Sequence, residues 1–346
     1  MTVRIGFAGD VMLGRLVDRR QERRAVDAVW GDLLERLRGL DGLIVNLECC
    51  LSTRGEPWTR TDRPFHFRAD PDWTIPALER AGVDVCALAN NHVLDYEEVA
   101  LEDTLERLDE AGIERAGAGR SLDEALEPAV ISLTGGGTAA GGEDLAVAVV
   151  SFTDNTPEYA ADENSPGTAR IEIDVENEGT RALVRESLER AREALSTSDA
   201  DSSLLVASLH WGPNMVERPP DSFREFGRWL VEEGVGVVHG HSAHVPQGIE
   251  VHEGRPICYD AGDFVDDYAV DSRLRNDRSF LFTLVVEGGD PRELRLTPTE
   301  IDDCRVLEAD PEAAEWSRER VRELSGEFGT EFEREGEELV VDLGLE

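Results

Sequence analysis

The sequence predicts an α/β domain of mixed sheets with flanking helices, on three observations. Short apolar runs of strand length alternate with amphipathic helical patterns through the earlier part of the chain. Those runs are almost uninterrupted in their apolarity, which marks strands covered on both faces. The later part changes to alternating strands joined by glycine-containing turns. With 346 residues and 40% hydrophobic content, the chain can bury the core such a domain needs.

The elements follow in order. "VRIGFAG" (3–9), "LIVNL" (43–47), "VDVCALA" (83–89), "LAVAVVSF" (145–152), "SLLVASL" (203–209) and "VGVVHG" (235–240) read as buried strands by length and β-branched content. Helices are expected over 22–38, from Tyr96 with Asp95 as N-cap and Leu101, Leu105 and Leu108 on one face, over 181–195, and over 222–233. "QGIEVHEGRPICYDAGDF" reads as a hairpin turning at Glu253-Gly254, and "SFLFTLVVE" with "ELRLTPTEI" as a pair around "GGDP". A helix over 313–324 and the strand "ELVVDLG" close the chain. "TGGGTAAGGEDL" is a glycine-rich hairpin or flexible tip without the Lys and Ser/Thr spacing of a phosphate loop. "NTPEYAADENSPGTARIE" is a longer irregular excursion. Neither an internal repeat nor an interdomain linker is visible. One domain over 1–346 is expected, with a motif-bearing core over 1–300 and a helix-strand extension over 301–346.

The charge balance bounds the partners. Acidic residues number 74 against 35 basic ones, a net charge of -39, and every basic residue is Arg. Such a surface repels itself in dilute buffer, and at about 1 M salt the Debye length of about 3 Å screens the repulsion. The composition therefore points to a salt-rich, halophilic cytoplasm. Because the acids are spread along the whole length, a dedicated face for a cationic partner is the weaker reading. General nucleic-acid binding is disfavoured for want of a basic footprint.

Cys49, Cys50, Cys86, Cys258 and Cys304 are odd in number and lack C-x-x-C spacing, so they form neither a disulfide framework nor a zinc ribbon. They read as buried thiols. A soft-ligand role for Cys49 and Cys50 is the alternative. "MTVRIGFAGDVMLGR" has no cleavage-site pattern and no apolar run reaches eighteen residues, so the expectation is a cytoplasmic protein without a membrane segment.

Polar groups collect where the predicted strands give out: Asp10; Asn46 and Glu48; Asn90, Asn91 and His92; His210; His239, His241 and His244; and Asp263. Ligand sites of α/β sheets gather beyond the carboxyl ends of strands. Each residue alone has a plain reading, Asp10 and Glu48 as turn or segment caps, His210 as a core histidine. Three imidazoles in "HGHSAH" would repel on protonation unless a cation held them neutral. Six of the seven histidines lie in or near these motifs, His66 being the exception. Carboxylates, an amide oxygen and neutral imidazoles are the donors of one or two divalent ions, Mn, Fe, Zn or Co. Two such ions about 3.5–4 Å apart would clamp a phosphoryl group for in-line attack.

The ordered set "GDVMLGR", "NLE", "ANNHVLD", "HWG", "HGHSAHV" and "GDF" resembles the CapA-like poly-γ-glutamate capsule synthesis family, whose fold belongs with the calcineurin-like metallophosphoesterases. The motifs span 9–264, about three quarters of the chain. The resemblance implies a four-layer α-β-β-α sandwich of the metallo-dependent phosphatase type with a dinuclear centre at the strand ends. It assigns Asp10 to one metal, Glu48 as bridging carboxylate, Asn91 to the second metal, His92 as general acid for the leaving oxygen, His210 as a further ligand, and His241 and His244 one to each metal. Three departures stand out. Met12 occupies the place of a ligand histidine, Glu48 that of the usual Asp, and "GHSAH" replaces Gly-His-x-His. Asp95 has two readings, helix cap and orienter of the His92 ring.

The loop over 52–70 carries Arg54, Arg60, Arg63 and Arg68 among Trp58, Phe65 and Phe67, a local basic cluster suited to carboxylate or phosphate or, equally, to the chain's own acids. Arg15 and Asn46 are further substrate-binding candidates. The expected function is a metal-dependent hydrolase of phosphoester or acyl-phosphate bonds in polyglutamate assembly, acting on a small or polyanionic substrate. The alternative is a non-catalytic polyanion-binding module working with polyglutamate synthesis partners.

Overall fold

Neighbouring stretches of the first strand, Thr2–Val11, bury into different cores: Val3, Ile5 and Phe7 into one, Ala8 and Val11 into another. Strict alternation would put residues 5, 7 and 11 on one face. It is broken because the pairing with Gly42–Leu47 shifts register between Ala8 and Asp10. A bulge of this kind re-aims the side chains that follow it, and here the next side chain is Asp10.

The computed structural model describes residues 2–135 and 144–344. Its large sheet runs in the order Glu333–Glu335, Glu338–Asp342, Asp290–Asp302, Arg278–Glu287, Thr2–Val11, Gly42–Leu47, Val85–Ala87, Glu114–Ala116. The first strand is parallel to Gly42–Leu47 and antiparallel to Arg278–Glu287. A six-stranded sheet has the order Ile249–His252, Arg255–Cys258, Val237–His241, Ser202–His210, Asp144–Thr153, Ala129–Thr134.

Between the sheets Val3, Ile5, Phe7, Ile44 and Val85 pack on Val147, Val149, Leu204, Val206 and Val237. Outside the large sheet Leu43, Val45 and Cys86 pack on Leu78, Leu101 and Leu105 of the helices Pro71–Ala81 and Glu97–Ala111. Outside the smaller sheet Val150, Leu205 and Val238 pack on Val184, Leu188, Phe226 and Leu230 of the helices Glu178–Ser196 and Asp221–Glu232. The layers are therefore α-β-β-α, and strands covered on both faces explain the continuous apolar runs. Each fully buried side chain of this kind contributes about 1.5–3 kcal/mol of transfer free energy.

Both hairpins form. Glu253 (φ 49°) and Gly254 (φ 73°) make the left-handed turn that a two-residue loop needs, as do Gly288 (φ 58°) and Gly289 (φ 85°). The strand Asp290–Asp302 runs through position 300, and Leu339 and Val341 lie in the inter-sheet core, so the last segment is built into the layers.

Four expectations need correction. The helix over 22–38 is broken into a 3-10 stretch, Val26–Leu33, and a short helix, Leu34–Arg38. Gly31 turns with φ 49° where a Cβ would stand 2.3 Å from the Val306 carbonyl oxygen, so close packing against Arg305–Glu308 overrides the helical period. Helices at Arg15–Gln21 and Pro71–Ala81 were not foreseen. The strand over 83–89 is confined to Val85–Ala87. The helix after Asp95 starts at Glu97 with Tyr96 at the N-cap, so Asp95 is not its cap. The glycine-rich tip over 136–143 lies outside the described residues, although its flanks, Ala129–Thr134 and Asp144–Thr153, pair antiparallel. Among the described residues no helix is long and apolar enough to cross a membrane.

Candidate metal centre

Sheet register sets the centre's first triad. Asp10 stands beside Asn46 on one side and beside Asp263 on the other. Asp263 opens the short strand Asp263–Val265 rather than ending a strand, a departure from the expected placement. Glycine makes the approach possible: a Cβ on Gly9 would lie 1.9 Å from the Gly262 carbonyl oxygen, and one on Gly240 would lie 2.1 Å from that of Tyr259.

The Asn46 amide ties the carboxylates together. Its Nδ2 lies 2.7 Å from Asp10 Oδ1, 3.2 Å from Glu48 Oε2 and 3.4 Å from His210 Nδ1, while its Oδ1 accepts from Asn90 Nδ2 at 3.1 Å. Asn46 was expected to bind substrate. Both ends of its amide are instead engaged in holding the cluster.

The histidines converge from two strand ends and one loop. His210 and His241 are register partners, with Nδ1 atoms 3.0 Å apart, and His241 Nδ1 is 3.7 Å from Asp10 Oδ1. His244 Nδ1 lies 2.8 Å from Asp263 Oδ1 and 3.2 Å from Asp10 Oδ2. The loop that delivers it is strained, with Ser242 at φ 112° and His244 at φ 58°. Donation from Ser242 N to Asp10 Oδ2 at 3.2 Å and from Ala243 N to Asp260 Oδ2 at 2.7 Å holds it there. On the opposite rim, His92 Nδ1 is 2.5 Å from Asp95 Oδ2 and its Nε2 is 3.7 Å from Glu48 Oε1. Asp95 also accepts from Phe67 N at 2.7 Å and from the Tyr159 hydroxyl at 3.1 Å. Of the two readings of Asp95, orientation of the ring is the one the geometry carries.

Two donor groups result, Asp10 with His210 and His241, and Asp10 with Glu48 and His244, the ligand atoms of each within 4.8 Å of one another. Asp10 is common to both. Glu48, expected to bridge, belongs to one group and has Oε1 3.9 Å from His210 Nε2 of the other.

Burial opposes ionisation of Asp10, but the hydrogen bond and charge of His244 outweigh it and hold the carboxyl well below the usual range. Burial and the Asp10 charge push Glu48 well above it, and burial likewise raises Asp260, Asp263 and Asp266. Burial lowers His210 to about 3, and burial with the adjacent His210 takes His241 well below the ordinary imidazole value. These two are neutral donors, the form that binds a metal. Burial works against the charge on His244, yet Asp263 and Asp10 raise it well above the ordinary value. Five carboxyl groups thus crowd one pocket, and burial holds four of them toward the neutral acid, a state that a bound cation would reverse. Glu48 Oε1, His210 Nε2, Asn91 Oδ1 and Asp263 Oδ2 are shut from solvent without a hydrogen-bond partner among the described residues, a condition buried polar atoms seldom tolerate. Donor chemistry, charge and orphaned atoms all fit a divalent cation.

The remaining candidates divide. Met12 is fully buried in the core outside the large sheet, where it packs as an apolar side chain. All five cysteines are free and buried, and burial raises Cys49 and Cys50, so neither offers a ready thiolate. Arg54 pairs with Asp103, and Arg60 pairs with Glu98 at 2.6 Å, so acids of the helix Glu97–Ala111 hold both guanidinium groups. Arg63 is different. Its guanidinium donates to the Asn91 carbonyl oxygen, lies over the Tyr159 ring at 4.6 Å, and has Nε 3.5 Å from Asp95 Oδ1. Arg15 lies over Phe65 at 4.7 Å and Phe67 at 4.8 Å, with Nε 3.3 Å from Asp267 and Nη1 unpartnered. His252 is removed from the group, on the strand Ile249–His252 with Glu232 3.8 Å away.

The model of the bacterial capsule synthesis protein PGA_cap matches residues 4–268. The chain belongs to this family. Relatives by sequence include a probable polyglutamine synthesis accessory protein of Mycobacterium tuberculosis (strain H37Rv), 30% identical with 95% of this chain and 92% of the relative covered. The PGA biosynthesis protein CapA of Bacillus subtilis (strain 168) is 25% identical with 97% and 81% covered. Among solved structures, the calcineurin-like phosphoesterase YfkN from Bacillus subtilis covers 89% of this chain and 88% of its own at 11% identity and a TM-score of 0.44. As a PGA_cap member this chain has features that motif reading missed. Asp260 and Asp266 stand in the same stretch as Asp263, but what they touch depends on how the loop over 241–244 folds back. Ser208 and Tyr159 carried no sequence signal beyond two-residue spacing from His210 and membership of the irregular excursion.

Proposed function

We propose that this capsule-synthesis family member is a metal-dependent hydrolase of phosphoester or acyl-phosphate bonds serving poly-γ-glutamate assembly. The observation that carries the reading is the pair of donor groups sharing Asp10. Asp10, Glu48, His210, His241 and His244 would hold the ion or ions, with Asn91 Oδ1 as an amide donor. A bound divalent cation supplies Lewis acidity toward a phosphoryl oxygen and an acidified water. The chain's own residues do the rest. His92, its Nδ1 on Asp95, turns Nε2 toward Glu48, and from that nitrogen it would give a proton to the leaving oxygen. Asn46 keeps Asp10 and Glu48 at fixed separation. Arg15, with Nη1 unpartnered, would meet a substrate anion in its plane.

The non-catalytic reading, a polyanion-binding module, has Met12 in its favour, since a ligand place is given over to the core. Against it stands the net charge of -39, which repels a polyanion. The deciding experiment measures metal content of the purified protein and turnover of p-nitrophenyl phosphate, bis-p-nitrophenyl phosphate and acetyl phosphate at about 2 M KCl, where surface repulsion is screened. Hydrolysis that disappears in Asp10→Asn supports the reading. Metal-loaded protein without turnover across the panel ends it.

A further inference from the structure

The strands Ser202–His210 and Val237–His241 run parallel with Ser208 beside His239 and His210 beside His241. Two-residue spacing puts the four side chains on the face toward the large sheet, where Val206 and Val237 of the same strands join the inter-sheet core. Ser208 and His239 are polar where their neighbours are apolar, they are at most 1% exposed, and the His239 ring packs on Phe7 at 5.3 Å. Among the described residues neither is hydrogen-bonded to Arg15, Asn46, Arg54, Arg60 or Arg63. What they do touch is His241: its Nε2 lies 2.9 Å from Ser208 Oγ, and Ser208 Oγ lies 3.3 Å from His239 Nδ1.

A neutral imidazole carries one proton, and a metal ligand needs the lone pair on the nitrogen that faces the ion. For His241 that nitrogen is Nδ1, the one beside His210 and Asp10. Its proton must then sit on Nε2 and be donated to Ser208 Oγ. The hydroxyl, having accepted, passes its own hydrogen to His239 Nδ1. At the far end His239 Nε2 is shut from solvent without a hydrogen-bond partner among the described residues, so the direction of the chain is set at His241.

Resting on the metal-centre reading above, we propose that Ser208 and His239 are positioning residues that lock His241 in the Nε2–H tautomer and so present Nδ1 to a divalent cation at Asp10. Two measurements test it. In metal-free protein labelled with 15N-histidine, a two-bond proton–nitrogen correlation, assigned by the signals lost in His241→Gln, reports the tautomer of His241. The expected form carries the proton on Nε2, and a proton on Nδ1 overturns the proposal in the unaltered protein. Chelator competition with Zn and Mn then gives affinities. Ser208→Ala is expected to weaken binding about 10–100-fold, and Ser208→Thr, which keeps the hydroxyl, to stay within about threefold. Wild-type affinity in Ser208→Ala overturns the proposal. Absence of metal binding by the wild type would instead sink the metal centre itself, an outcome the tautomer measurement keeps separate.

Discussion

His92 and Asp95 form a dyad across three residues, with Nδ1 2.5 Å from Oδ2 and the carboxylate further fixed by Phe67 N and the Tyr159 hydroxyl. The ring therefore has one nitrogen committed and one facing Glu48. If His92 protonates the leaving group, Asp95→Asn will retain metal content and lose about 10–100-fold in turnover, because the ring loses its orienting acceptor. The loss should be larger for alkyl phosphates than for p-nitrophenyl phosphate, whose leaving oxygen needs little protonation. Equal losses on both substrates would remove His92 from the acid role. Asp95→Ala adds a folding cost of about 1–3 kcal/mol for each buried donor left unpaired, read in urea denaturation.

Asp10 is the carboxylate common to both donor groups. Replacing it should cost more metal than replacing a member of one group. Elemental analysis of Asp10→Asn is expected to show both ions lost, whereas His210→Ala and His244→Ala each spare the group they do not belong to. Retention of wild-type metal content in Asp10→Asn would show that the two groups are not metal groups.

The sequence makes legible whatever depends on local period and spacing. Buried strands show as apolar runs, the hairpin at Glu253-Gly254 shows in its turn residues, and the convergence of Asp10, Glu48, His210, His241 and His244 follows from strands that end on one side. Tertiary contact decides the rest. Nothing local to 22–38 announces that Gly31 must pass the Val306 carbonyl, a neighbour 275 positions along. Nothing near Asp95 announces that its carboxylate goes to Phe67, His92 and Tyr159 and leaves capping undone. The arginines of the 52–70 loop are all visible as a cluster, but only packing separates Arg54 and Arg60, held by helix acids, from Arg63, set against Asn91 and Asp95.

His239 gives the fold a pH dependence of known sign. An unfolded histidine takes up its proton near 6.5, whereas burial lowers His239 to about 4. Above about 6.5 neither state is protonated and the residue adds no pH dependence. As pH falls through that window the unfolded chain gains a proton that the folded one does not, and up to about 3 kcal/mol of stability is lost. His239→Phe, placed against Phe7, removes this penalty. The stability of the variant relative to wild type, from urea denaturation of metal-free protein, should rise between about pH 7 and about pH 4. A difference that stays flat across that range would contradict the assignment of a neutral buried ring.

The acidic surface makes its own prediction. Arginines are shared among acids where they can be, Arg190 among Asp123, Glu127 and Glu186 and Arg295 among Glu293, Glu335 and Glu338. With 74 acids to 35 arginines, sharing cannot neutralise the surface, and the excess repulsion falls mainly on the folded state, where the charges are closest. Screening shortens the Debye length from about 10 Å at 0.1 M salt to about 3 Å at 1 M. The melting temperature should therefore climb as KCl is raised over that range, with most of the gain at the lower concentrations where the Debye length changes fastest. Chloride is the telling salt, because sulfate stabilises most proteins by exclusion from their surface. A melting temperature that rises in sulfate and stays level in KCl would assign the effect to exclusion and leave the acidic surface without a role in salt adaptation.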